Sequence, residues 1–96
     1  MQGTEPRQRL DKWLWYARVA RSRSLAQKLV ASGAVRVNGQ RCVAPDRRIA
    51  PGDGLTIAIA GRIRVLRVRD PGARRGPATE ARLLYEDLSP DPAPPQ

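Results

Sequence analysis

Histidine and phenylalanine are absent from this chain, and it has one cysteine, two tryptophans and two tyrosines. Without histidine, the commonest general base and neutral-pH metal ligand is missing. One thiol and scattered aspartates do not form a metal site by any familiar ligand spacing. Ser22 and Ser24 have no base placed to activate them, and Asp11 and Asp53 read as a helix-start acid and a turn acid. The chain is therefore expected to have no catalytic residue, metal, cofactor or small-molecule substrate. A single Cys42 allows no internal disulfide and reads as a small apolar strand residue, which fits a reducing, cytoplasmic setting. Four aromatic side chains make too small a platform for base stacking, so recognition of a nucleic acid would rest on phosphates and shape. No apolar run approaches the ~20 residues of a membrane span, and no signal-peptide core follows the start. No membrane partner is expected.

Carboxylates are scarce too, and unevenly placed. The 96 residues hold 18 Lys+Arg against 9 Asp+Glu, a formal net charge of +9. Between Arg7 and Arg75 stand 17 basic and 4 acidic residues, whereas the rest of the chain holds 1 basic and 5 acidic. The chain's own carboxylates cannot neutralise its middle, and that surplus calls for a polyanionic partner.

The length suits one domain with a modest core. Leu10, Trp13, Leu14 and Ala17 recur at helical spacing, with Asp11 in the first turn, where a carboxylate suits the helix dipole. A second helix starts at an N-cap Ser22, buries Leu25, Ala26, Leu29 and Val30, and stops at Gly33. The pattern then alternates. Val35 and Val37 lead into Asn38-Gly39, the signature of a two-residue hairpin turn, and Arg41 to Val43 forms the return strand. "PGDG" at 51–54 is a turn, "LTIAIA" at 55–60 a strand, Gly61-Arg62 a second turn, and "IRVLRV" at 63–68 another strand. "ATEARLLYEDL" at 78–88 reads as a closing helix capped by Thr79 and buried through Leu84 and Leu88. Trp13 belongs to the core; Trp15, on the opposite face, is placed either to stack on a base or, the favoured expectation, to pack against that closing helix near Leu84 and Tyr85.

The stretch "RVARSRSLAQKLVASGAVRVNG" crowds arginines at the mouth of the second helix. Free backbone N–H groups there can hold a phosphate oxygen, and Arg21, Arg23 and Lys28 supply the charge. Arg62, Arg64, Arg67, Arg69, Arg74 and Arg75 form a candidate second basic surface.

Arg9-Leu10-Asp11, Ser22-Arg23, Ala26, Gly33, Val35 to Gly39, Pro45 and Gly52-Asp53 stand in one order and spacing. That ordered set resembles the S4 RNA-binding domain. "RLDKWLW" and "RRGPATEARLLYEDL" are further similar to the family of small, fifteen-kilodalton ribosome-associated heat-shock proteins, a likeness spanning residues 9 to 88. The resemblance implies an α+β, S4-like (αL motif) fold: two short N-terminal helices on a small, mostly antiparallel sheet, with a C-terminal helix. It implies a flexible 1–8, an RNA-binding domain over 9–70, a loop and helix packing on it over 71–88, and a disordered, proline-rich tail over 89–96. The RNA-binding residues it implies are Arg9, Lys12, Arg18, Arg21, Ser22, Arg23, Gln27, Lys28, Arg36, Asn38, Gly39 and Arg41. The implied partner is ribosomal RNA of free large subunits still carrying nascent-chain tRNA, bound by a cytoplasmic monomer that aids their recycling under stress. Members of that family continue into a long basic helix, in contrast to the acidic, proline-rich stretch after Leu88. Three alternatives stand beside this reading. Two short helices with a basic second one could enter a DNA major groove, as in a helix-turn-helix protein. A generic structured-RNA or tRNA binder and a module for an acidic protein partner share the same charge.

Overall fold

The computed structural model describes residues 6–89; the expectations for residues 1–5 and 90–96 lie outside the described residues. A two-residue strand, β1 (Gln8–Arg9), leads into helix α1 (Leu10–Tyr16). Leu10, Trp13 and Leu14 have no solvent exposure, as their helical spacing requires. Arg18 then takes a left-handed φ of 61°, which turns the chain toward the next helix.

Helix α2 (Arg23–Ala31) begins where sequence places it: the Ser22 hydroxyl accepts a hydrogen bond from the Leu25 N–H at 3.1 Å. It ends in a Schellman motif. Gly33, at φ 86°, donates to the Val30 carbonyl, and the Ala34 N–H reaches the Leu29 carbonyl at 3.4 Å. Its buried stripe is narrower than expected. Ala26 and Val30 are enclosed and Leu29 is half-buried, but Leu25 is 48% exposed.

The remaining strands are β2 (Val35–Val37), β3 (Gln40–Cys42), β4 (Arg48–Ile49), β5 (Gly54–Ile59), β6 (Arg62–Val68) and β7 (Tyr85–Asp87). Strand β4 pairs with β1, opposing Arg48 to Arg9. The others form one antiparallel sheet in the order β3-β2-β5-β6-β7. Asn38 and Gly39, at φ 52° and 83°, make the anticipated turn between β2 and β3. The turn between β5 and β6 is Ala60-Gly61, at φ 52° and 75°, one residue earlier than expected, so Arg62 is already in its strand. Val35, Val37, Leu55, Ile57, Leu66 and Val68 point to the helices and join Trp13, Leu14, Ala26 and Val30 in one core; Cys42 sits in it as a small apolar residue. Truncating a side chain as enclosed as Trp13 costs about 3–5 kcal/mol.

The chain's closing helix is the main correction. Only Ala78–Ala81 is α-helical (α3), with Pro77 rather than Thr79 at its N-cap and no side-chain cap; a 3₁₀ turn over Arg82–Leu84 follows. From Tyr85 the chain becomes β7 because the open edge of β6 offers it a full set of partners: Val68 faces Tyr85, Arg67 faces Glu86 and Leu66 faces Asp87. Leu84 is buried as anticipated, whereas Leu88 is 40% exposed. In this register Tyr85 meets Trp13 edge to face, with ring centroids 6.2 Å apart. Trp15 packs instead beside Tyr16 and under the Arg75 guanidinium, 5.7 Å from its ring centre.

Candidate nucleic-acid interface

Asp11 is the organising residue. It is completely buried, yet Leu10 and Trp13 on either side of it point into the core, so it stands where α1 meets α2. Arg9 grips it through two parallel hydrogen bonds, Nε to Oδ1 and Nη2 to Oδ2, both 3.0 Å. The Gln27 amide donates to Oδ2 at 3.0 Å, and the backbone N–H of Lys12 donates to Oδ1 at 2.8 Å. Arg23 Nε lies 3.6 Å from Oδ2, too far for a hydrogen bond, and is buried without another partner. One carboxylate thus holds two guanidinium groups and an amide brought from positions up to sixteen residues away.

Burial alone would push the Asp11 carboxyl up. The hydrogen bonds from Arg9, Gln27 and the Lys12 N–H, together with the Arg9 charge, outweigh it and hold the group below the usual carboxylate range. Arg9 is correspondingly raised by its hydrogen bond to Asp11. Asp11 therefore stays ionised and fixes Arg9 and Arg23, while 38% of each guanidinium side chain still faces solvent.

Next to this cluster lies a shallow depression of about 450 Å³ lined by Arg9, Ser24, Gln27, Lys28, Ala31, Pro45 and Asp46. The Leu10 and Asp11 N–H groups donate to the Arg47 and Pro45 carbonyls, which fixes the 45–47 segment against the start of α1. Lys28 is exposed and has no carboxylate within ion-pairing distance among the described residues.

The sequence-derived set divides in three. Arg9, Arg23, Gln27 and Lys28 come together around Asp11 and the depression. Lys12 borders them with its ammonium 5.6 Å from the Tyr16 ring centre, and Ser22 acts as the helix cap. Arg21 is exposed on another side of α2's start. Arg36 and Arg41 face each other across β2 and β3, and the Arg41 guanidinium lies against Gly33, occupying the space a Cβ there would need.

Besides the Ser22 cap, three more residues are used for architecture. Arg18 donates to the Gly76 carbonyl at 2.8 Å. Asn38 donates to Asp53 at 3.2 Å and accepts from the Gly54 N–H at 2.8 Å, locking its hairpin to the 51–54 turn, and Gly39 supplies that hairpin's positive φ. In the sequence Asp11 reads as a helix-dipole residue, and the Arg9-Leu10-Asp11 triplet is the one local signal of its role as a hub. Sequence reasoning passes over Arg48, which β4 sets opposite Arg9.

Three of the six arginines of the second basic surface are paired with carboxylates. Arg74 binds Glu80 through Nε and Nη2 at 3.1 and 2.7 Å; Arg67 meets Glu86 at 3.3 Å and Arg64 meets Asp87 at 3.6 Å. Arg75 donates to the Trp15 carbonyl at 3.0 Å. Among the described residues there is no group of three His, Cys, Asp or Glu side chains able to hold a metal, and no helix long and apolar enough to cross a membrane.

The family model of the S4 domain matches residues 8–55, which hold β1 through the start of β5 and all of the Asp11 cluster. Heat shock protein 15 of Escherichia coli K12 is 40% identical over 81 residues, covering 84% of this chain and 60% of that protein. A Heat shock protein 15 homolog of Aeromonas salmonicida is 39% identical over 79 residues, 82% of this chain and 59% of its own length. The chain thus spans about three-fifths of these relatives. The trimeric structure of Vibrio cholerae Heat Shock Protein 15 superposes with a TM-score of 0.81 at 35% identity, covering 86% of this chain and 83% of that one.

Proposed function

From the premise that this chain belongs to the S4 domain family and, within it, to the Heat shock protein 15 group, we propose that it is a non-catalytic protein that binds structured RNA. The observation that carries this reading is the Asp11 cluster. A single buried carboxylate pre-positions Arg9, Arg23 and Gln27 beside Lys28, which lies in the last turn of α2 and has no ion-pair partner among the described residues. Ordered cations with exposed guanidinium edges receive phosphate oxygens without having to be ordered first.

The RNA is ribosomal, on free large subunits that still carry a nascent chain on its tRNA, and the protein aids their recycling under stress in the cytoplasm. The likeness to Heat shock protein 15 and the cationic surplus of residues 7–75 support this finer reading. Sucrose-gradient fractions from cells with stalled translation test it. The tagged protein should migrate with free large subunits, and puromycin release of the nascent chain should weaken its retention. Equal recovery on small subunits would reduce the proposal to general RNA binding. The Vibrio cholerae relative is trimeric; sedimentation equilibrium checks the sequence-based expectation that this chain acts as one copy.

A further inference from the structure

Leu25 has no structural reason to be apolar if α2 serves only to hold phosphates. It sits in the first turn of the helix at 48% exposure, in a position that polar residues fill readily. Beneath it opens a groove of about 650 Å³ between α2, the α1–α2 connection and the β5–β6 hairpin. Val19, Leu25, Leu29 and Ile59 form its apolar wall, Arg21 and Lys28 its polar edge, and no carboxylate lines it. Lys28 also lines the depression beside Asp11, so the two hollows share this side chain.

We propose that this groove receives a single unstacked nucleobase of the bound RNA, whose flanking phosphates are held by Arg21 and Lys28. The inference rests on the RNA-binding reading above and deepens it. Structured RNA presents such bases at bulges and loops, and proteins recognise them by enclosing the base face against apolar side chains. The size falls in the range of small-ligand sites. The charge pattern matches a nucleotide: the apolar part suits the base, and two lining cations without a competing carboxylate suit its neighbouring phosphates. An apolar face of a protein helix would bring no such requirement for lining cations. The groove would give the interface a preference that phosphate contacts alone do not supply, because phosphates are alike along every RNA segment.

The test uses the full chain and two RNA hairpins, one fully paired and one with a single-nucleotide bulge carrying 2-aminopurine. The parent should prefer the bulged hairpin by roughly tenfold, and the probe's emission should rise as it leaves the RNA stack. Leu25→Gln, at an exposed helical position, should abolish the preference and the emission change while leaving affinity for the paired hairpin intact. Leu25→Met should restore both. Equal parental affinity for the two hairpins overturns the groove assignment but leaves RNA binding standing; failure to bind either overturns both. If Leu25→Gln dissociates an oligomer in sedimentation and leaves the bulge preference unchanged, the groove is a contact between copies of the chain, and the nucleobase assignment falls.

Discussion

Arg9, Arg23 and Lys28 around Asp11 and the neighbouring depression carry the same charge as Arg64, Arg67 and Arg74 in the C-terminal half, but their surroundings differ. Each of these three C-terminal arginines has its own exposed carboxylate: Asp87, Glu86 and Glu80 respectively. At α2 two arginines share one carboxylate, and that carboxylate is buried. Exposed one-to-one pairs contribute little to stability and leave little net field. A shared buried carboxylate leaves an excess of positive charge and fixes where it points. The comparison separates cations that complete the fold from cations held ready for an anion, which composition alone does not distinguish.

The strongest way to break the comparison is to remove the shared carboxylate. Asp11→Asn removes the carboxylate that Arg9 and Arg23 share. Stability should fall by about 2 kcal/mol, less than for a fully enclosed pair because the guanidinium groups remain partly solvated. RNA affinity should fall as well, although the variant is more positive. A rise in affinity would show that total charge matters and positioning does not. Acid should reproduce the effect in the parent. Because the folded-state pKa of Asp11 lies below its unfolded value, its stabilisation is fully present above the ordinary aspartate pKa of about 3.9 and is lost as pH falls through the folded one. Acid melts of Asp11→Asn should lack that component.

Salt dependence sharpens the contrast between the two halves. With roughly four to six phosphates neutralised, log affinity should fall against log salt with a slope near −3 to −5. Replacing Arg23 and Lys28 together by Ala should flatten this slope by about 1.5–2. Replacing Arg67 and Arg74 together should leave it almost unchanged, since both already have carboxylate partners. Equal flattening by the two double variants would erase the distinction.

Smaller effects follow from the turn and from the paired half. At Gly39 nothing lies within reach of an added Cβ, so Gly39→Val measures the cost of a positive φ alone, about 1–2 kcal/mol in a thermal melt. It should also disturb Arg36 and Arg41, which face each other in the same hairpin. Glu86→Gln frees Arg67 and should change stability by no more than about 0.5 kcal/mol. Its effect on RNA affinity should be a slight, salt-sensitive gain. A large gain would make the C-terminal half a masked RNA surface.

Much of this molecule was legible in local sequence. Helical spacing located α1, the Ser22 cap and Gly33 bounded α2, and Asn38-Gly39 specified its hairpin, because each depends on conformational preferences within a few residues. The cationic surplus and the candidates Arg23, Gln27 and Lys28 were legible in the same way, as types and positions on a helix, and Arg9 as the first residue of the Arg9-Leu10-Asp11 triplet. Tertiary structure decided the rest. The end of the chain became β7 because β6 had an unpaired edge, and a strand's partners outweigh the helical preference of a short segment. Leu25 stayed exposed because the β5–β6 hairpin stands off from α2, leaving a groove between them. Asp11 became the hub because packing α1 on α2 brought Arg23 and Gln27 to a carboxylate that Arg9 already held. An aspartate's burial and partners are set by which elements meet around it, and no local pattern contains that meeting.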